Sequence, residues 1–140
     1  MLMVKTKIKS SEINGIGLFA DQFIPKGSVV WRFNPRFDIY FDSIDVEKMN
    51  KLQKDLIIYY AYFSKKSGKY VYCIDNNRFT NHSSNPNTAE DPEKFENDKE
   101  ICTVAIREIQ MGEEITIDYR AIDSADESSD EEYLKDEYAI

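Results

Sequence analysis

Only one histidine and two cysteines occur among the 140 residues. Cys73 and Cys102 form no C-x-x-C pair, and a single imidazole does not complete a zinc site, so no metal is expected. Both cysteines sit in apolar runs far apart, which predicts buried free thiols rather than a disulfide. Long hydrophobic runs are missing too. No stretch approaches the roughly 18–20 apolar residues that a membrane helix requires, and MLMVKTKIKS lacks the apolar core of a secretory signal. A soluble, intracellular protein is expected, cytoplasmic or, in a eukaryote, nuclear, with no membrane partner. Positive charge is also scarce, at 18 basic against 26 acidic residues.

That charge is unevenly spread. Residues 121–140 hold eight acids and one base, a balance of −7; the chain carries −8, so the first 120 residues are near −1. A near-neutral body argues against direct nucleic-acid binding, which wants a basic face. The acidic end either solvates the chain or attracts a lysine-rich polypeptide. With 41% hydrophobic and 13% aromatic residues, there is apolar surface for one compact domain.

Residues 3–10 alternate Val4, Thr6 and Ile8 with lysines and read as a half-exposed strand. Asn14-Gly15 signals a turn before a strand at 16–20, and Pro25-Lys26-Gly27 another before a strand at 28–33. Further strands are predicted at 37–41, 70–74, 101–106 and 113–119. Between them, Met49, Leu52, Leu56, Tyr59 and Phe63 recur at three- and four-residue steps. This predicts one helix over 43–64 of about five turns, capped by Ser43 and ended at Ser67-Gly68. Residues 75–87 read as a polar structured loop, and 89–100 as a charged excursion. The expected class is mainly β with a small α insertion.

Three segments carry candidate chemistry. Gly15-Ile16-Gly17-Leu18-Phe19-Ala20 is a glycine turn that would also permit close backbone approach to a ligand. Its strand–turn–strand setting is wrong for a dinucleotide fingerprint, which should open a helix. In the run 78–87, Asn81, His82 and hydroxyls could serve a loop alone or hold a polar cofactor. In the segment 112–119, Tyr119 suits either packing or catalysis.

In that order, these segments resemble the SET domain family. Gly15-Ile16-Gly17-Leu18-Phe19-Ala20 is similar to its opening motif, and 23–27 to the turn that follows. Arg78-Phe79-Thr80-Asn81-His82 through Pro86-Asn87 matches the second motif, and Gly112-Glu113-Glu114-Ile115-Thr116 through Tyr119 the third. The likeness spans roughly residues 5–120. It implies a β-clip-like fold of several small sheets with a C-terminal pseudoknot, a SET domain over 1–120, and a helical insert at 43–66 where the family recognises substrate. It also implies a protein-lysine N-methyltransferase using S-adenosylmethionine. By resemblance, the backbone at Gly15, Ile16 and Gly17, the segment holding Arg78 and Phe79, and Asn81 and His82 would bind the cofactor. Tyr119 would be the catalytic tyrosine and a cofactor contact. The partner would be a basic lysine-bearing protein, histone-like or ribosomal, acted on by a monomer or homodimer.

Methyl transfer to lysine needs a neutral amine, whereas free lysine titrates near 10.4. A narrow apolar channel beside a sulfonium would favour the neutral form by desolvation and charge repulsion. Channel walls could draw on Tyr40, Tyr59, Tyr60, Tyr62, Tyr70 or Tyr72. The chain departs from the family in three places. No cysteine follows Tyr119, so a zinc-bound lid is absent or replaced. A short helix over 131–139 is expected there instead, with Tyr133 or Tyr138 stacking on adenine or closing the channel. Glu90 stands where an aromatic residue often lines the channel, and Ser84 where cysteine is common. Two further readings stay open: a catalytically weak SET-fold module that binds cofactor or peptide, and an acidic escort of basic partners.

Overall fold

In the computed structural model, residues 1–123 are described. The expected helix over 131–139, with Tyr133 and Tyr138, lies outside them. The described chain forms four small sheets and few helices. Strands β1 (Thr6–Ser10) and β2 (Ile16–Ala20) form an antiparallel hairpin around the Asn14-Gly15 turn. A second sheet joins β3 (Val29–Trp31), β9 (Cys102–Ala105) and β8 (Thr88–Asp91), with β9 central. A third joins β4 (Asp38–Phe41), β6 (Tyr70–Cys73) and β5 (Tyr62–Phe63), with β6 central. In the fourth, β7 (Asn81–His82) pairs in parallel with β10 (Thr116–Ile117).

That parallel pair sets the second and third motifs side by side. Parallel neighbours need a long crossover between them, and here the crossover carries β8 and β9. The main core packs Leu18, Ala20, Ile24, Val30, Ala105, Ile109 and Ile115, with Leu2 and Val4 against it. That core draws on residues from near both ends of the described chain. Cys73 and Cys102 are buried and unbridged. Among the described residues, no helix is long and apolar enough to cross a membrane.

The insert differs from expectation. Instead of one helix there are two, α1 (Ser43–Glu47) and α2 (Lys51–Tyr60), and Phe63 belongs to β5. Asn50 breaks the helix in extended geometry and caps the second half: its side chain accepts from the Gln53 N–H at 2.9 Å, while the Gln53 side chain accepts from the Asn50 N–H at 3.2 Å. Ser43 is the first helical residue, preceded by Asp42 at the cap position. The break resets the helical phase. Val46, Ile57 and Ala61 form the insert's buried core, whereas Leu52 is 83% exposed and Tyr59 67% exposed. Leu52, Leu56 and Tyr59 of the anticipated stripe therefore face outward, while Met49 packs against that core.

Two more boundaries move. The charged excursion begins as strand β8, so Glu90 lies on a strand opposite Thr103. The strand expected at 113–119 keeps only Thr116–Ile117, and Tyr119 opens a short helix, α3 (Tyr119–Ile122). Asp118 caps it by accepting the Arg120 N–H at 3.0 Å, which turns the chain out of the strand. Asp123 closes the described body: its carboxylate accepts the Phe63 N–H at 3.0 Å.

Candidate functional site

The three motifs meet around Asn81. This side chain is buried, and its amide nitrogen donates to Asn14 O at 3.1 Å, Ile16 O at 3.3 Å and the Glu114 carboxylate at 2.9 Å. One residue of the second motif thereby holds the first motif's turn and a carboxylate of the third. Glu114 also accepts the Ser11 hydroxyl, at 2.7 and 2.9 Å to its two oxygens. Gly17 exists to admit that carboxylate. A Cβ there would lie 2.5 Å from Glu114 Oε2, inside any contact distance. Gly15 serves a different need, with φ +47 at the turn and open space where a Cβ would point. Ile16 between them is 49% exposed, so the turn presents an open stretch of backbone.

His82 and Tyr119 form the second half of the site. The Tyr119 N–H donates to His82 Nδ1 at 3.0 Å, which makes Nδ1 an acceptor and puts the proton of a neutral ring on Nε2. The two rings lie 5.4 Å apart, tilted by 53°. The Asp118 carboxylate stands 3.6 Å from the same nitrogen. Tyr119 reaches back across the parallel pair, and its hydroxyl donates to Thr80 O at 2.5 Å. The phenol is thus aimed by two bonds, one at each end of the residue. The histidine acts here through its ring on Tyr119.

Arg78 and Phe79 sit on a single 3-10 turn, Asn76–Phe79, packed against β1, β2 and β6. The Arg78 guanidinium donates to Ile74 O at 2.9 Å and lies over the Phe79 ring at 4.6 Å. Phe79 meets Tyr60 edge-on at 5.8 Å, which joins the end of α2 to this turn. Asn14 reaches α2 as well, donating to the Tyr59 hydroxyl at 3.4 Å.

Two positioning residues carried motif letters but no role in the sequence. Asn87 is 2% exposed and plays the part of a strand partner for β10. Its side chain donates to Glu114 O at 2.8 Å and accepts the Thr116 N–H at 2.9 Å. Glu114 is the shared anchor of Ser11 and Asn81. Its signal in the sequence is indirect: an acidic residue in an otherwise alternating segment, opposite a glycine.

A third cluster centres on Glu100. Glu100, 1% exposed, accepts the Tyr40 hydroxyl at 2.6 Å and also the Ser64 hydroxyl. Burial and the neighbouring Glu100 charge push the Glu90 carboxyl up to about 7, offset in part by Lys65. Burial, with Glu100 and Glu90 nearby, holds the Tyr62 phenol protonated well above its ordinary range.

A family model of the SET domain matches residues 15–120, which include all three motifs and both members of the parallel pair. The chain belongs to the SET domain family. A histone-lysine N-methyltransferase of Drosophila melanogaster, trr, is 28% identical over 130 residues. That match covers 84% of this chain and 5% of the fly protein, so this SET domain corresponds to a small part of its relative. A crystal structure of a Plasmodium falciparum protein, provisionally described as a histone methyltransferase, superposes with a TM-score of 0.59 at 20% identity. It covers 84% of this chain and 95% of that one, and the likeness is one of fold. Within the SET domain, the match ends at the residue after Tyr119.

Proposed function

We propose that this SET domain is a protein-lysine N-methyltransferase that takes its methyl group from S-adenosylmethionine. The observation that carries the reading is the convergence of the glycine turn, Asn81, His82 and Tyr119 through hydrogen bonds spanning up to 67 residues of sequence. The residues present suit a cationic donor. The Ile16 and Thr80 carbonyls and the Glu114 carboxylate supply negative density, and exposed backbone at Gly15 and Ile16 leaves room for approach. Gly15, Ile16, Gly17, Asn81 and His82 would line the donor's place, with Arg78 and Phe79 behind and Tyr133 contributed from the acidic segment. The donor supplies an activated methyl group on a sulfonium.

The rest is work for this chain's own groups. The Tyr119 hydroxyl, aimed by Thr80 and His82, orients the incoming amine and holds its lone pair in line. Aromatic walls desolvate the amine and favour its neutral form. Residues 1–120 supply the catalytic body and 121–140 an acidic extension. Negative charge there suits a basic, lysine-rich substrate such as a histone or ribosomal protein. The enzyme acts as a soluble intracellular protein.

Incubation with labelled S-adenosylmethionine and a panel of core histones and ribosomal proteins tests this, with Tyr119→Phe in parallel. Label should pass to protein lysine, and the variant should transfer it at least about a hundredfold more slowly. Donor binding by calorimetry without transfer would instead favour a binding module, and equal transfer by the variant would remove Tyr119 from catalysis.

A further inference from the structure

Two acceptors stand side by side at the start of α3. His82 Nδ1 accepts the Tyr119 N–H at 3.0 Å, and Asp118 Oδ1 accepts the Arg120 N–H at 3.0 Å. These are the first two amides of a helix of only 4 residues, Tyr119–Ile122. The two acceptor atoms lie 3.6 Å apart. Neither can donate to the other, because a carboxylate has no proton and the lone pair of Nδ1 is spent on Tyr119. One proton added at Nδ1 reverses this. The nitrogen becomes a donor, loses the Tyr119 N–H, and has the Asp118 carboxylate beside it as a charge-assisted acceptor.

Asp118 is the carboxylate within reach of Nδ1 among the described residues. The His82 side chain is 4% exposed and that of Asp118 34%, so the pair opens to water on the Asp118 side. β10, the strand paired with β7, is Thr116–Ile117 and brings no charge. Glu114 precedes β10, but its carboxylate is turned to Asn81 and Ser11. Arg78, on the turn before β7, donates to Ile74 O and Asp75 O. Arg120 is the base of α3, and Asp123 beyond it accepts the Phe63 N–H.

We propose that His82 and Asp118 form a proton-operated latch on Tyr119. With the ring neutral, Nδ1 holds the Tyr119 N–H and the latch is closed. A proton from solvent forms an N–H bond on Nδ1, the bond from Tyr119 is lost, and the imidazolium donates to Asp118 instead. Tyr119 keeps its hydroxyl bond to Thr80 O but is released at its backbone, so the phenol loses one of the two bonds that aim it. His82 is thus a positioning residue, and Asp118 stabilises the open state. Imidazole is the side chain that ordinarily changes charge between about pH 5 and 8, which suits it to such a device. The control this gives over methyl transfer rests on the methyltransferase reading; the latch itself does not.

NMR on the full chain from about pH 5 to 8.5 reads the two partners separately. The sequence has 1 histidine, so every imidazole signal belongs to His82. In tyrosine-labelled protein, the Tyr119 amide is the signal lost in Tyr119→Phe. At high pH the ring should show Nδ1 without a proton, and the Tyr119 amide should move with the midpoint of the ring. In His82→Gln that amide should hold still across the range. Asp118→Asn keeps an oxygen for the Arg120 N–H but removes the charge that receives the Nδ1 proton, so the amide should move only at lower pH. Thermal melts confirm that the variants fold, and the wild-type titration decides the matter even where one does not. An amide that stays in place while the ring titrates, a ring that stays neutral down to pH 5, or a His82→Gln amide with the wild-type curve overturns the latch. Wild-type protein that passes no label from S-adenosylmethionine to any basic protein overturns the methyltransferase reading, whereas the latch stands or falls on the amide titration.

Discussion

Replacing Asn87 with alanine should unfasten the strand that leads to Tyr119. The side chain makes two buried bonds, donating to Glu114 O at 2.8 Å and accepting from Thr116 N at 2.9 Å. Each is worth about 1 kcal/mol net, and a buried partner left without a bond costs roughly 1–3 kcal/mol. Thr116 is itself buried, so its N–H gains little from water. The expected loss is about 3–5 kcal/mol, a large share of the roughly 5–15 kcal/mol that holds a domain together. For a chain of this size, that lowers the melting temperature by about 10–20 °C. Urea unfolding followed by circular dichroism reads the difference directly. Asn87→Asp sharpens the test, because it keeps the acceptor for Thr116 and turns an oxygen toward the Glu114 carbonyl. It should destabilise by a similar amount despite its shape. A cost below about 1 kcal/mol for both variants would refute the account of Asn87 as a strand partner.

The insert should respond to substitution according to its observed phase. Ile57→Ala should cost about 2–4 kcal/mol in urea unfolding, while Leu52→Lys should change stability by no more than about 0.5 kcal/mol. The reverse ranking would restore the single continuous helix. Stability should also depend on Glu90. Its folded value is about 7, above the ordinary 4.5, so between those values the native state holds the proton more tightly than the unfolded chain. Stability contributed by protonated Glu90 is present below about 4.5 and falls as pH rises toward 7. Glu90→Gln should flatten that decline in melts recorded from pH 4.5 to 7.5, and an unchanged slope would assign it to other groups.

Several elements were legible because their signals are local. Asn14-Gly15 followed by an apolar run placed β2 at 16–20 to the residue. The buried, unbridged state of Cys73 and Cys102 followed from their apolar surroundings. The helical break was legible as well, since Asn50-Lys51-Leu52-Gln53 has the spacing of a reciprocal cap, but a three–four repeat running through it hid the signal. Periodicity reports a face only while the helix keeps its phase. Asn50 interrupts that phase, and the stripe of Leu52, Leu56 and Tyr59 turns outward as a result.

By itself the sequence determined the order of the three motifs, the short strands between turns, the near-neutral body and its acidic end. All of these depend on neighbouring residues. Tertiary structure alone decided that Asn81 would hold Ile16, that Asn87 would pair with β10, and that Glu100 would take the Tyr40 hydroxyl. These contacts join groups from 29 to 65 residues apart. A hydrogen bond between distant segments leaves no periodic mark, because its partner is chosen by chain path and burial. Gly17 shows the two levels meeting: its missing side chain can be read from the letter, and the Glu114 carboxylate that fills the space only from the fold.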